Sequence, residues 1–412
     1  MKKLAAILLC AVLLTGCGAA SKAPEAVSSA ADTAAAAETA SAVSAAATPV
    51  PTATPFPAEL DPLTGLARQD TTPWRPAAVT ISNAAAATRQ WGLADAEIVM
   101  EALSVGKSTD LCLWYSSLSA VPMVGPVTQG NDVFWQFALP ENAIPVQKGS
   151  SLYAENLLNC YGVQPLDAMY LGVNCFDFEH SIPGVADAYC WYTSGAALQR
   201  GLDSYALAAQ GATAPLGCFG TPAAGSAVQS ITIAYSDASA TVLSWDAASG
   251  LWGMSRGGAP QCDATTGAQA AFSNVLVLYA SAGVKDDGYT RDYALSGGTG
   301  LYLTGGTWQA IRWSKGAADA ALTLTDAAGA PLTLAAGKTY LGLYGGFTGQ
   351  SVTLADAAGA AVDPGLAAPA PLPTATPAPT ETPAPTPDPA AAATPDPAAA
   401  AAPDPAAAAP QA

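Results

Sequence analysis

Residues 253–257 (Gly-Met-Ser-Arg-Gly) match a pattern that can do hydrolytic chemistry. In serine hydrolases with the Gly-x-Ser-x-Gly motif, a strained turn between a strand and a helix presents the serine as the nucleophile. Here no helix is expected after the motif, and the only histidine of the chain, His180, precedes it rather than following it. A chance match in a glycine-rich β-turn is therefore the favoured interpretation of Ser255.

Two further short motifs around Lys107 contain chemically capable residues. Ser104 and Lys107 have the Ser-x-x-Lys spacing of penicillin-recognising enzymes, in which the lysine helps to activate the serine. The companion Ser-Asp-Asn motif is missing, and Lys338-Thr339 is followed by a tyrosine instead of a glycine. Residues 106–108 (Gly-Lys-Ser) lack the upstream glycine of a phosphate-binding loop. Neither motif identifies an enzyme.

Asp177, Glu179 and His180 bring two carboxylates and an imidazole together in the sequence. Such oxygen and nitrogen donors could bind a divalent metal. A polar surface loop needs no ligand, and this is the favoured interpretation, so we predict no metal site and no cofactor.

Six cysteines follow the N-terminal segment, at positions 112, 160, 175, 190, 218 and 262. Outside the cytoplasm an even number permits three disulfides, in fifteen possible connectivities. Alternatively, Cys112 and Cys160 lie on apolar faces and are simply buried thiols. No Cys-x-x-Cys spacing occurs, which excludes a thioredoxin-like or zinc-ribbon site.

The N-terminus predicts where the protein is located. Residues 1–17 comprise a basic head, an apolar run and Leu-Thr-Gly-Cys, which is typical of a secretory signal ending in a lipobox. The thiol of Cys17 is expected to accept a diacylglycerol, whose two acyl chains suffice for stable anchoring on the outer face of the cytoplasmic membrane. The alternative is an ordinary signal with a chance cysteine. No later segment offers about 20 consecutive large apolar residues.

Composition describes the rest of the chain in outline. With 15 basic and 32 acidic residues the net charge is −17, which excludes a nucleic-acid-binding protein. Residues 18–57 lack large side chains and predict a disordered stalk, and residues 351–412 predict a disordered tail rich in proline and alanine. The body between them is itself acidic, so anionic lipids and polymers should be repelled.

The body is expected to have an α+β fold, with an N-terminal α+β domain (58–215) and a C-terminal, mainly antiparallel β domain (216–350). A segment rich in Gly, Pro and Ala, 210–225, separates them. In the first domain, apolar patterning predicts strands at 77–81, 98–103 and 111–115 and helices at 132–139 and 151–159. In the second, short alternating runs between glycine-containing turns predict strands at 231–235, 240–245, 275–279, 300–303, 308–313 and 321–325.

Several motifs in a fixed order carry a resemblance to a known family. The first domain contains Asp-Pro-Leu-Thr-Gly-Leu at 61–66, Arg-Pro-Ala-Ala-Val at 75–79, Arg-Gln-Trp-Gly-Leu at 89–93, Glu101, Gly-Pro-Val at 125–127 and Asp132. The second contains Arg256 to Pro260 with Asp263, Asn-Val at 274–275, Gly297 to Gly300, Trp-Ser-Lys at 313–315 and Gly-Lys-Thr at 337–339. Over about residues 58–345 the chain resembles the YerB-like lipoprotein family of Gram-positive bacteria, which has an N-terminal and a C-terminal domain of unknown function.

The resemblance implies a set of candidate binding residues in the first domain. Asn83, Arg89, Glu101, Thr109 and Asp132 fall at positions of the family's motifs. The alternative is that Arg89 and Glu101 form a structural ion pair.

The chain departs from the family pattern at three basic positions. Thr109-Asp110 stands where the family shows Thr-Arg, and residues 125–131 read Gly-Pro-Val-Thr-Gln-Gly-Asn where it shows Gly-Pro-Val-Arg-Ser-Ala-Arg. Arginine pairs bind anions through bidentate hydrogen bonds, and an aspartate in their place repels them. We therefore predict weak binding of phosphate or carboxylate ligands at this surface, and favour a neutral glycan, a peptide amine or a protein face. If the relatives' arginines are structural, their loss says nothing about ligands.

Two hypotheses of function follow. The first is a lipid-anchored extracytoplasmic binding or scaffold protein of the Gram-positive cell envelope, attached to the membrane through the diacylglycerol on Cys17, with a wall glycan or an envelope protein as its partner. The alternative is an envelope hydrolase or transferase in which Glu101 or Asp132 acts as an acid or base, chemistry that needs two positioned titratable groups. The sequence contains no recognised catalytic constellation, so no catalytic residue is assigned.

Overall fold

The structure is a computed structural model that describes residues 56–179 and 183–373. The predicted lipidation site Cys17, residues 18–55 of the stalk, His180 and the tail from residue 374 lie outside the described residues. Within the described ranges, no helix combines the length and apolarity that a membrane crossing requires.

The helices of the described residues all lie in the first half of the body. The α-helices are α1 (Asp132–Ala138), α2 (Leu152–Cys160), α3 (Ala168–Leu171) and α4 (Gly195–Ser204). Single 3-10 turns occupy Leu118–Ala120, Gly172–Asn174 and Asp187–Tyr189. Serine side chains cap two of the longer helices: Ser151 Oγ accepts from the amide of Ala154 at the start of α2, and Ser194 Oγ accepts from Ala197 at the start of α4.

Strands dominate the described residues. Those of the first half are β1 (Ala77–Ser82), β2 (Ile98–Val105), β3 (Ser108–Tyr115), β4 (Ile144–Gln147), β5 (Leu166–Asp167), β6 (Asp177–Phe178) and β7 (Trp191–Tyr192). Those of the second half are β8 (Cys218–Phe219), β9 (Ser226–Ala227), β10 (Ser230–Ala234), β11 (Ala240–Asp246), β12 (Leu251–Arg256), β13 (Ala259–Pro260), β14 (Ala271–Phe272), β15 (Asn274–Tyr279), β16 (Ala282–Val284), β17 (Arg291–Tyr293), β18 (Gly297–Thr304), β19 (Thr307–Ser314), β20 (Thr323–Asp326), β21 (Thr333–Leu334), β22 (Thr339–Tyr344), β23 (Ser351–Ala355) and β24 (Ala361–Val362).

One large sheet runs through both halves of the body. Its strand order is β20-β19-β18-β15-β22-β2-β3-β1-β4-β5, with β9 paired to β19. β22, from the second half, lies between β15 and β2 and is parallel to both. The two halves therefore share hydrogen bonds in the middle of this sheet.

A second, antiparallel sheet comes from the second half. Its order is β13-β12-β11-β10-β23-β24, with β14 paired to β12. Along β10, Ile231 and Ile233 are buried while their neighbours are half-buried, which is the period-two pattern of a strand with one face on a core.

The core lies on both faces of the large sheet. On one face, Val99 and Tyr340 pack with Ile231 and Ile233 of the second sheet. On the other face, Met100 packs with residues of α1 and α2. Because successive strand residues point to opposite faces, Glu101 lies on the same face as Val99, between the two sheets.

The predicted α+β fold is confirmed. Every strand and helix predicted from the sequence is present, with ends that agree within about three residues, the usual uncertainty of such boundaries. The central strand β22 was not predicted from the sequence.

The predicted tail begins too early. Residues 351–355 form β23 and pair with β10, where Leu354 is opposite Ile231 and is 1% exposed. Val352 and Leu354 alternate with polar residues, which is enough apolar patterning to extend a sheet. The boundary at residue 351 is therefore corrected, because β23 and β24 belong to the second sheet.

The six cysteines of the body are all free thiols. Cys112 is buried, as expected, but Cys160 is exposed. The buried face of α2 is formed by Ala154 and Leu158, which are one turn apart, and Cys160 falls on the other side of the helix. The expectation of an apolar environment for Cys160 is therefore wrong.

Candidate functional site

Three of the five candidate residues meet between the two sheets. Asn83 follows β1, while Glu101 lies on β2 and Thr109 on β3, and all three side chains are buried. Asn83 Nδ2 donates to Glu101 Oε1 (2.8 Å) and to Thr109 Oγ1 (2.8 Å). Thr109 Oγ1 in turn donates to Glu101 Oε1 (2.6 Å).

The second half of the chain completes the hydrogen bonds of Glu101. Glu101 Oε2 accepts from Thr241 Oγ1 (2.8 Å) and from the Tyr340 hydroxyl (2.7 Å), which also bonds to the Tyr235 hydroxyl (2.8 Å). A carboxylate has about four acceptor positions, and the chain's own donors occupy four. We call Asn83, Glu101, Thr109, Thr241 and Tyr340 the Glu101 network. Burial raises the pKa of Glu101, and the hydrogen bonds to its oxygens oppose that rise.

Arg256, not Arg89, is the cation next to this network. Arg256 Nη1 donates to the backbone oxygen of Asn83 (2.6 Å) and to Asn83 Oδ1 (2.7 Å). Burial lowers the pKa of Arg256, while the charge of Glu101 raises it. Arg89 is exposed, and among the described residues no ion pair joins it to Glu101. The alternative of an Arg89–Glu101 ion pair is therefore wrong, because Arg89 faces solvent.

Asp132 belongs to a different part of the molecule. It is the first residue of α1, whose apolar side chains pack on the opposite face of the large sheet from Glu101. Asp132 Oδ2 is 3.1 Å from Lys285 Nζ, which is also 3.0 Å from Asp292 Oδ1. Burial alone would lower the pKa of Lys285, but the two aspartates raise it on balance. Asp132 and Glu101 do not form the pair of carboxylates that the enzyme hypothesis needs.

Residues of the short sequence motifs lie on strands, in a surface ion pair or outside the described residues. Ser255 lies on β12, opposite Val242 of β11. Ser104 Oγ donates to Asp110 Oδ2 (2.5 Å), whereas Lys107 Nζ pairs with Asp237 on the surface (2.6 Å). His180 of the possible metal group lies outside the described residues, and the described ranges contain no cluster of metal ligands.

A cavity that the sequence analysis did not identify lies beside β4, β5 and α2. Its volume is about 480 Å³, within the range of small-molecule sites. We call it the β4–α2 pocket; it is lined by Gln147, Gly149, Ser150, Glu155, Leu158, Asn159, Gln164, Pro165, Asp167, Met169 and Tyr170. β1, β4 and β5 are parallel, and the pocket lies at the carboxyl ends of β4 and β5, where open parallel sheets commonly bind ligands.

Asp167 holds the loops around this pocket in place. Its Oδ1 accepts from the amides of Gly149 and Met169, both at 2.8 Å. Its Oδ2 accepts from Gln147 Nε2 (2.8 Å). One buried carboxylate therefore fixes the end of β4, the loop before α2 and the start of α3.

The segment around Gly130 lies between β1 and β4 as these strands diverge. The amide of Thr128 bonds to Thr80 of β1 (3.0 Å), and the amide of Gly130 bonds to the carbonyl of Gly149 (2.9 Å). A Cβ at position 130 would be only 1.8 Å from Gln147 Oε1, so glycine is required for this position of the carboxamide. The position thus determines where the Gln147 side chain can lie.

Several buried polar atoms in this region have no hydrogen-bond partner among the described residues. They are Asn131 Oδ1, Trp135 Nε1, Gln147 Oε1 and Ser150 Oγ. Buried polar atoms are usually paired with protein or water, so we expect these four to bond to water or to a bound molecule. Of the four residues, Gln147 and Ser150 line the pocket. A glycine and serines between an apolar strand and an amphipathic helix were the only sequence signal for this loop.

The positions at which the sequence was expected to depart from its relatives flank β1. Asp110 of β3 pairs with Ser82 on one side of β1, and Thr128 bonds to Thr80 on the other. Burial raises the pKa of Asp110 to about 6, opposed by the hydrogen bond from Ser104. With a pKa of about 6, the Asp110 carboxyl is mostly ionised near neutral pH, so it places a negative charge where arginine was expected in relatives.

The comparisons with known proteins agree with the resemblance seen in the sequence. The N-terminal domain described as "Protein of unknown function (DUF3048)" matches residues 63–206, and the C-terminal domain of the same description matches 231–341. The chain is 29% identical over 266 residues to "Putative lipoprotein YerB" of Bacillus subtilis (strain 168), which is 62% of this chain and 77% of that relative. The crystal structure of the YerB protein from Bacillus subtilis is similar with a TM-score of 0.63 and 26% identity, covering 71% of this chain and 99% of that one. The chain therefore belongs to the DUF3048 family, with both of its domains present.

Proposed function

We propose that this protein is a lipid-anchored, extracytoplasmic binding or scaffold protein of the cell envelope. Cys17 carries the lipid on the outer face of the cytoplasmic membrane, and residues 18–57 hold the two-domain body away from it. The lipobox sequence supports the anchor, as does the similarity to the putative lipoprotein YerB.

The observation that carries the binding role is the β4–α2 pocket, a cavity of about 480 Å³ bordered by unpartnered polar atoms. A wall glycan or an envelope protein is the proposed partner. The hydrolase or transferase alternative is not proposed further, since Asp132 and Glu101 lie on opposite faces of the sheet and the oxygens of Glu101 are occupied.

The anchor is tested by fractionating cells that produce the wild type, Cys17→Ala or Cys10→Ala. Cys10 lies in the apolar part of the signal and serves as the matched control. We expect Cys17→Ala to leave the membrane fraction while Cys10→Ala remains in it. Unchanged membrane attachment of Cys17→Ala would contradict the anchor.

The binding role is tested by cross-linking intact cells and recovering the protein under denaturing conditions. We expect a discrete glycan or protein attached to the wild type, with the cross-link mapping to the region between residues 147 and 170. Recovery of the protein with no attached molecule would contradict the binding role.

A further inference from the structure

We propose that the β4–α2 pocket binds a neutral, hydroxyl-rich ligand: a sugar ring, either free or as part of a glycan. This inference rests on the proposed function, because it names the class of ligand that the binding site takes. The charge of the pocket, its polar lining residues and its exposed rim support this ligand class.

The charge of the pocket excludes an anion. Glu155 and Asp167 are among its lining residues, and no lysine or arginine of the described chain lines it. Lys148 follows Gln147 directly, but its Nζ lies over the Trp191 ring, 5.4 Å from the ring centre. A phosphate or carboxylate would therefore meet two carboxylates with no cation to balance it.

The hydrogen bonds of Asp167 argue against an ammonium ligand. Three donors of the chain, the Gly149 and Met169 amides and Gln147 Nε2, already bond to its oxygens. Glu155 is exposed, so its attraction for a cation is weakened by solvent. A cationic ligand would therefore find about one acceptor position of Asp167 left, since the chain's own donors occupy three of about four.

The polar groups of the pocket suit hydroxyls. Ser150 lines the pocket, and its Oγ, which has no partner among the described residues, can both donate and accept. This atom is closed off from solvent here, so a rotation about χ1 is needed to bring it to a ligand hydroxyl. The carboxamides of Asn159 and Gln164 also line the pocket and offer donors and acceptors together. A sugar hydroxyl also donates and accepts, so each of these neutral side chains can form hydrogen bonds with a hydroxyl of the ligand.

The rim of the pocket suits the apolar face of a sugar ring. Tyr170 is 78% exposed and Met169 is 67% exposed, and both line the pocket. Because these two exposed side chains are neighbours on the rim, they form an apolar surface that one ligand ring can cover. A tyrosine ring presents an apolar body for C–H groups and a polar tip for water or hydroxyls.

The test is calorimetric titration of the purified full chain with four probes. These are the N-acetylglucosamine tetramer, the N-acetylglucosamine monomer, tetralysine and glycerol phosphate. We expect the tetramer or both sugars to bind, and Ser150→Ala and Tyr170→Ala each to reduce their affinity about fivefold, as the loss of one hydrogen bond or one ring contact predicts. Tyr289→Ala, which removes a tyrosine that is 61% exposed elsewhere, is the control and should leave the affinity unchanged.

The outcomes separate this inference from the proposed function. If the tetramer binds more tightly than the monomer, the ligand is a glycan. If the two bind with equal affinity, the ligand is a free sugar. Binding of neither sugar overturns the inference, as does sugar binding that both pocket variants leave unchanged. If tetralysine or glycerol phosphate binds and Tyr170→Ala abolishes that binding, the sugar assignment is wrong but the pocket still binds a ligand. The cross-linking experiment tests the binding function independently of the sugar assignment.

Discussion

The Glu101 network and the β4–α2 pocket use the same kinds of polar side chain but complete their hydrogen bonds differently. In the network, both oxygens of Glu101 accept two hydrogen bonds each from the chain. Beside the pocket, Gln147 Oε1 and Ser150 Oγ are buried without a partner in the described chain. The described chain alone satisfies the Glu101 carboxylate, whereas it leaves these two atoms beside the pocket unpaired.

This difference distinguishes polar side chains that stabilise the fold from those that can bind a ligand. Glu101 attracts attention in the sequence because it is a carboxylate at a family position, yet it links the two sheets. A fully satisfied buried network fixes one arrangement of the core. Unpartnered atoms around a cavity are the better guide to a ligand.

The largest effect is expected when the network is broken. Glu101→Ala removes the acceptor that the buried donors of Asn83, Thr109, Thr241 and Tyr340 share. We expect the free energy of unfolding to fall by about 4 kcal/mol. Urea unfolding followed by tryptophan fluorescence measures this. Glu59→Ala, at an exposed glutamate, is the control. A loss below about 1 kcal/mol in Glu101→Ala would show that the network does not stabilise the fold.

A smaller effect is expected at the pocket wall. Gly130→Ala would place a Cβ 1.8 Å from Gln147 Oε1, so the carboxamide must move. We expect a loss of about 2 kcal/mol in unfolding free energy. The double variant Gly130→Ala/Gln147→Ala should lose less than the sum of the two single losses, because the colliding carboxamide is gone. Additive losses would show that the two positions are not in conflict.

Glu141 is a buried carboxyl that, unlike Glu101, has an oxygen without a partner among the described residues: its Oε2. Burial raises the pKa of Glu141 to about 8, and Lys315 opposes the rise. In the unfolded chain this carboxyl ionises near its usual pKa of 4.5, so the stabilisation present below that pH is lost as the pH rises towards 8.

We therefore expect Glu141→Gln to weaken the fall in unfolding free energy between pH 5 and pH 8 by about 3 kcal/mol. Urea unfolding at both pH values measures this, with Glu59→Gln as the exposed control. The same pH dependence in the wild type and Glu141→Gln would show that this carboxyl does not titrate abnormally.

The smallest effect on stability is expected inside the pocket. Ser150→Ala removes a hydroxyl that has no partner in the described chain, so unfolding free energy should change by less than about 0.5 kcal/mol. Thermal unfolding measured alongside the sugar titrations checks this. A loss of more than about 1 kcal/mol would mean that Ser150 belongs to the scaffold, like Glu101.

Local patterns in the sequence predicted nine of the 24 described strands, among them the long strands β2, β3, β18 and β19. The alternation of Ile231 and Ile233 with polar neighbours gave β10, and the spacing of apolar residues gave α1. β22 is buried at every position, so it shows no alternation, and its pairing with β2 joins segments far apart in the chain. Such a central parallel strand carries little local signal.

The candidate site was predicted in part. Family positions led to Asn83, Glu101 and Thr109, which do meet. Their partners Thr241 and Tyr340 come from the second half, and no local pattern connects them to Glu101. The β4–α2 pocket was missed because it depends on how parallel strands align, which spacing within one segment does not reveal.

The most direct test of scaffold against site is amide hydrogen exchange of the full chain with and without saturating N-acetylglucosamine tetramer. We predict slower exchange within residues 147–170 when the tetramer binds. We predict no change within residues 99–109, which include Glu101 and Thr109 of the Glu101 network. Slower exchange centred on β2 and β3, with residues 147–170 unchanged, would contradict it.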